Sequence, residues 1–197
     1  RSVGKVGERL GYNVFSIDWK EYEGIDLAID IGNLTKEDVP FVPDVVWASP
    51  DCTTYSIAAI SKHRNGTEPK SDYAKKCDQV NQHFIGLIKE WLKINPKMVF
   101  FIENPRGMLR KMPFMQEFKR HTIWYCQYGD DRAKPTDIWT NSEDWMPRPQ
   151  CKNGNPNCHH QRAPRGSKTG TQGRKGSYER SKIPRELCLE VLSSAFT

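Results

Sequence analysis

Apolar residues along this chain fall into short runs that alternate with helix-spaced stripes, and the alternation sets the fold class. Val3, Val6 and Leu10 recur at helical spacing and Gly11 closes the run, so a helix is predicted over residues 2–10. Asn13 to Ile17 reads as a short strand ending in Asp18 and Trp19, and Leu27 to Ile31 as a second with Asp30 near its end. Asp44 to Ala48 is a third, running into Ser49, Pro50, Asp51 and Cys52. A polar stretch with Gly66 and Pro69 precedes a long amphipathic helix whose stripe is Val80, Phe84, Leu87, Ile88, Trp91 and Leu92. Lys97 to Ile102 is an apolar run suited to the middle of a parallel sheet, and it ends in Glu103, Asn104 and Pro105. Strands follow near Thr122–Gln127 and Asp137–Thr140. The pattern then lapses until a helix from about Pro184, a favoured first helical residue, to Phe196. Alternating β and α elements predict an open, mostly parallel, twisted α/β sheet with helices on both faces.

Composition narrows the picture. The 197 residues suit one domain with a sizeable core, and no apolar run reaches the roughly 20 residues of a membrane span. The expectation is a soluble, cytoplasmic monomer. The six cysteines are scattered and read as cytosolic thiols, one of them a candidate nucleophile. Net charge is +6, but its distribution says more. From Pro147 to Ile183 stand nine Lys/Arg (Arg148, Lys152, Arg162, Arg165, Lys168, Arg174, Lys175, Arg180, Lys182) against Glu179 alone. Such a segment suits a polyanion, or else forms a solvated basic loop.

In open α/β sheets ligands gather at the carboxyl ends of the strands. Asp18, Asp30, Cys52 and Glu103 each follow a predicted strand within a few residues. A cysteine on a strand-end turn becomes a nucleophile when its thiolate is stabilised by backbone donors or a basic partner. A glutamate leaving an apolar strand is expected to have a raised pKa, because desolvation disfavours its charge. Thiolate and protonated carboxyl together suit attack on a flat heterocycle. Addition at carbon 6 of cytosine, with a hydrogen bond at ring nitrogen 3, makes carbon 5 an enamine carbon able to take a methyl group.

At these residues the chain resembles the cytosine-5 DNA methyltransferases, in order over about 140 residues and again near the C-terminus. The resemblance implies a Rossmann-like, S-adenosylmethionine-dependent fold. SIDWKEY is similar to the segment in which Asp18 would hold the cofactor ribose and Trp19 pack on its adenine. DIGNLT places Asp30 and Ile31 at the adenine edge. SPDCTTYS resembles the nucleophile loop, which implies Cys52 as nucleophile, Pro50 beside the cofactor and Ser56 toward DNA. KINPKMVFFIENP is similar to the strand carrying the catalytic Glu103 and Asn104, and YERSKIPRELCLEVL to the terminal segment, with Ser181 at the cofactor pocket. The pattern looks most like short phage or prophage members, whose roles include restriction–modification.

The chain also departs from that pattern. Asp51 stands where the family has a second proline, and a carboxylate there should raise the thiol pKa. The family's arginine segment is not intact. Arg132 and Lys134 stand in its place, and Arg132 is the candidate for the cytosine ring oxygen. The chain opens without an initiator Met on a helix-like pattern, so an N-terminal strand and glycine loop are expected to be missing. The expected organisation is a catalytic domain over 1–142, a short basic DNA-recognition segment over 143–182 with Arg162, Arg165 and Lys168 on double-stranded DNA, and a returning helix over 183–197. Cys151 and Cys158 are followed by His159 and His160, and Cys126 is a further candidate zinc ligand. Their spacing is looser than in structural zinc sites, so they read as polar loop residues and no metal is assigned. Trp124, Trp139 and Trp145 read as packing or as base-stacking groups. Competing readings are an amino-methyltransferase acting on cytosine N4 or adenine N6, an RNA cytosine-5 methyltransferase, and a catalytically silent DNA- or cofactor-binding module.

Overall fold

The computed structural model of the chain describes residues 1–164, 174 and 176–197. Helix α1 (Ser2–Arg9) leads into a two-stranded parallel pair, β1 (Ile17–Asp18) and β2 (Leu27–Ala28). These strands are shorter than the sequence pattern predicts. The reason is local: the Ser16 amide donates to the Asp26 carboxylate at 2.7 Å instead of to a neighbouring strand.

The main sheet has the order β3 (Val45–Ala48), β6 (Val99–Pro105), β8 (Pro135–Thr140), β7 (Lys119–Trp124). β3 and β6 are parallel, and β8 runs antiparallel between β6 and β7. Three of its four strands thus point one way, and the α/β expectation holds. A short helix α2 (Ile60–His63) and the hairpin β4 (Arg64–Asn65)–β5 (Glu68–Pro69) occupy the polar stretch, and neither was predicted. Strand β7 starts and ends earlier than expected. Tyr125–Tyr128 turns into a 3₁₀ helix, closed by Gly129 at φ +82, a left-handed conformation that favours glycine.

Side-chain alternation along β6 divides the core into two layers. Phe100 and Ile102 face the long helix α3 (Asp72–Ile94), whose buried face includes Ile85, Leu87, Ile88 and Trp91. Phe101 faces the opposite layer, where Val6 of α1 meets Leu187, Val191 and Leu192 of α5 (Arg185–Ser194). Helices therefore cover both sheet faces. Each fully buried Leu or Ile here contributes about 1.5–3 kcal/mol. Helix α3 starts at Ser71, whose hydroxyl accepts from the Ala74 amide at 3.1 Å. Before α5 lies α4 (Ser177–Ser181).

Trp124, Trp139 and Trp145 are 8%, 1% and 2% exposed, which settles them as packing residues. Among the described residues no helix is long and apolar enough to cross a membrane.

Candidate active site

The register of the sheet brings the chemical groups together. Ala48, the last residue of β3, pairs with Ile102, so Cys52 leaves β3 beside the stretch of β6 that carries Glu103 and Asn104. The Asn104 amide donates to the Pro50 carbonyl at 2.8 Å, fastening the cysteine loop to β6. Gly107 completes the lock. A Cβ there would lie 2.5 Å from the Tyr55 carbonyl oxygen, so only glycine lets the two loops approach this closely.

A buried network that sequence reasoning missed holds the loop from below. Arg64 donates from Nε to the Thr54 carbonyl at 2.9 Å and forms a bidentate pair with Asp78 at 2.7 and 3.0 Å. Tyr55 donates to Asp78 at 2.7 Å and accepts from Asn81 at 2.8 Å. The legible signal was that Asp78 and Asn81 share the apolar face of α3, where an unpaired polar group would be costly.

Cys52 is exposed as a residue, yet the protein around its sulfur pushes the thiol pKa up. Desolvation is the largest cause, opposed by Lys134 and reinforced by Asp51 and Glu103. The effect of Asp51 follows the expectation, but its carboxylate is tied down by the Tyr73 hydroxyl and by the Thr53 amide at 2.8 Å. Burial works against the Asp51 charge, and those hydrogen bonds nevertheless hold its pKa below the usual carboxylate range.

Glu103 is 6% exposed, but its surroundings are not apolar. The Tyr125 hydroxyl donates to it at 3.2 Å, and Lys134 interacts electrostatically with both Glu103 and Cys52. Burial lowers the pKa of Lys134, against the pull of Glu103 and Cys52. Its ammonium also rests 5.0 Å from the Tyr125 ring centre and donates to the Arg180 carbonyl at 3.3 Å.

Arg132, expected to meet the substrate ring, has its guanidinium bonded elsewhere in this structure. It is 0% exposed. Asp130 takes its Nε at 2.8 Å and one terminal nitrogen at 2.6 Å, and the carbonyls of Arg180 and Lys182 accept at 3.1 and 2.9 Å. Asp130 lies two residues away and captures the arginine. Among the described residues, Lys134 is a basic side chain that acts on both Cys52 and Glu103.

Asp18 and Asp30 stand at the same end of the parallel β1–β2 pair. Asp18 accepts from the Lys20 amide at 3.1 Å, and Trp19 is 69% exposed. Asp30 caps the turn at Ile31–Asn33 by accepting from Gly32 at 2.8 Å, and Lys76 lies 2.9 Å from it. The bond to Lys76 is the main cause of its lowered pKa. Lys20 Nζ lies 4.3 Å from the centre of the Trp19 ring, and the exposed indole beside carboxylates that can accept from hydroxyls fits an adenosine. Asn104 Oδ1 adds an orphan polar atom: it is buried and has no hydrogen-bond partner among the described residues. Ser181 is exposed and its hydroxyl is committed to the Tyr178 carbonyl at 2.8 Å. Ser56 is half-buried at the end of the nucleophile loop.

The basic segment carries less free charge than its sequence suggests. Arg148 pairs with Glu186 and Glu190 at 2.6 and 2.9 Å, Arg174 with Asp131, and Lys182 with Glu179 at 2.7 Å. Arg162 is exposed, whereas Arg165 and Lys168 lie outside the described residues.

Cys126, Cys151, Cys158 and His160 were read as loop residues, but the structure gathers them into one cluster with all ligand atoms within 4.8 Å of one another.

No family model matches the chain. A crystal structure of a proposed DNA modification methyltransferase encoded within a prophage (E. coli) aligns with a TM-score of 0.49 and 14% identity. The alignment covers 77% of this chain and 49% of that one, so the chain spans about half that protein's length. The resemblance read from the motifs extends over nearly the whole chain: it is 26% identical over 205 aligned residues, 97% of this chain and 94% of its relative, to a probable DNA (cytosine-5)-methyltransferase of Frog virus 3 (isolate Goorha).

Proposed function

We propose that this chain transfers a methyl group from S-adenosylmethionine to carbon 5 of cytosine in double-stranded DNA, through a covalent bond to Cys52. One observation carries the reading: a strand-end thiol and a buried carboxyl share a positive partner, Lys134, at the carboxyl edge of parallel strands. The similarity to a probable cytosine-5 methyltransferase supports the same chemistry.

The target base cannot reach this edge inside a duplex, so it must be extruded. Cys52 then adds as thiolate to carbon 6, forming the S–C bond, while Glu103 gives a proton to ring nitrogen 3. Lys134 stabilises the thiolate before attack and the ring oxygen at carbon 2 as electron density builds there, the role that Arg132 is not free to take. S-adenosylmethionine, when bound, supplies an electrophilic methyl group. Asp18 would hold its ribose hydroxyls and Trp19 its adenine face, with Asp30 and Ile31 at the adenine edge and Pro50 on the side of the nucleophile. Carbon 5 takes the methyl, loses its own proton to a base, and the returning electron pair restores the double bond and expels Cys52. The basic 143–182 segment, with Arg162 exposed, would bind the phosphates.

The test uses duplex DNA in which every cytosine is 5-fluorocytosine, together with S-adenosylmethionine. Fluorine cannot leave as the proton does, so a denaturation-stable protein–DNA adduct is expected, and Cys52→Ala should form none. Methylation of ordinary DNA by the Cys52→Ala variant would overturn the mechanism.

A further inference from the structure

We propose that Cys126, Cys151, Cys158 and His160 form a closed structural zinc site that fastens the 146–161 segment to the end of β7. Three sulfurs and one imidazole nitrogen lie within 4.8 Å of one another, and Cys151 Sγ is 3.9 Å from His160 Nδ1. Zinc bonds of about 2.3 Å to sulfur and 2.0–2.1 Å to nitrogen place tetrahedral ligand atoms roughly 3.6–3.8 Å apart. The cluster therefore has to tighten by about 1 Å at its widest edge. A set of three sulfurs and one imidazole, with no oxygen ligand, selects zinc over calcium or magnesium. Four protein ligands leave no open position, which makes the site structural and not catalytic. Cys126 and His160 are 2% and 8% exposed, so a bound ion would be shielded from water.

The spacing that argues against zinc in the sequence is resolved by the backbone. Asn155 donates to the Lys152 carbonyl at 3.1 Å and Cys158 to the Asn155 carbonyl at 3.2 Å, two successive tight turns. Gly154 supplies the left-handed conformation, φ +77, that the first turn needs. Together they fold the spacer so that both sulfurs face the same point.

The neighbours are those a metal thiolate uses. The Asn155 amide nitrogen is 3.5 Å from Cys151 Sγ, and the Gln127 amide nitrogen is 3.8 Å from both Cys126 and Cys158 sulfurs. The Gly154 amide approaches His160 Nε2 at 3.1 Å. With metal on Nδ1 the proton sits on Nε2, so this amide turns aside on loading.

The other ties of the segment are polar and lie toward its two ends, where Arg148 pairs with Glu186 and Glu190 and Gln161 bridges Arg132. The apolar cluster beneath it is Trp124, Cys126, Ala133 and Cys151, with Cys158 packed alongside, so the proposed ligands make up most of its own core. Small units of this kind depend on a metal for their order.

The whole chain, purified under reducing conditions, should carry one zinc ion by elemental analysis and retain it through dialysis. Cys151→Ser and Cys158→Ser should each lose the zinc and melt at lower temperature, while Cys77→Ala, a buried thiol in another core, keeps it. His160→Cys preserves four ligands and should still bind zinc, with its cobalt-substituted spectrum shifted toward that of an all-thiolate site. Folded wild-type protein without stoichiometric zinc overturns the proposal. A disulfide between any two of the three cysteines, or unchanged zinc in the Cys151→Ser/Cys158→Ser double variant, does the same.

Discussion

Cys52 stands alone at the end of β3, exposed, with one lysine pulling its sulfur toward the thiolate form. Cys126 is 2% exposed and has two further sulfurs and an imidazole beside it. Burial raises the pKa of both thiols, but only in Cys126 do neighbouring sulfurs push the same way, up to about 12. A positive neighbour suits a thiol that must attack and leave. Several soft neighbours suit one that gives up its proton once, to a metal. The same division appears two residues apart in Arg132 and Lys134. One is spent on Asp130 and two backbone carbonyls, while the other faces Cys52 and Glu103.

That contrast can be broken at Arg132 first. Arg132→Met leaves Asp130 without its bidentate partner, and breaking such a pair costs about 3–5 kcal/mol. Urea unfolding should show that loss directly. A variant of unchanged stability whose turnover alone falls would return Arg132 to the active site. Next comes Lys134→Met, which removes a charge from the site while keeping the length of the side chain. The rate should drop about a hundredfold, on the scale of losing one preorganised donor. Lys134 lowers the Cys52 pKa, so its removal raises that pKa further and the rise of rate with pH should move to higher pH. Rates measured across pH at saturating DNA check this, and an unmoved profile would detach Lys134 from the thiol. The smallest effect is expected at the cofactor edge. Asp18→Ala should weaken S-adenosylmethionine binding by about 1–3 kcal/mol in calorimetry. Equal affinities would free Asp18 from the cofactor.

The main elements were legible because each carries a long, uniform pattern. Helix α3 shows its stripe from Val80 to Leu92, and β6 its apolar run up to Ile102. The strand-end register that gathers Cys52 and Glu103 followed from those elements alone. What stayed hidden depends on choices between chemically similar neighbours. Nothing in YGDDRAKP tells which basic side chain Asp130 captures. The pairing of Arg64 with Asp78 links an unpredicted hairpin to a helix face. The thiol cluster depends on Cys126, remote in sequence, and on turns whose hydrogen bonds are backbone to backbone.

Arg132 has a consequence beyond its own burial. It forms a β-bridge with Gln161, whose amide donates to Asp131 at 2.8 Å, and it holds the carbonyls of Arg180 and Lys182. Gln161 is thus tied to the backbone of this residue, and Arg180 and Lys182 to its side chain, two positions from Lys134. A change at Arg132 would therefore be felt at Gln161, Arg180 and Lys182 together, while the strands that carry Cys52 and Glu103 stay where the sheet has put them.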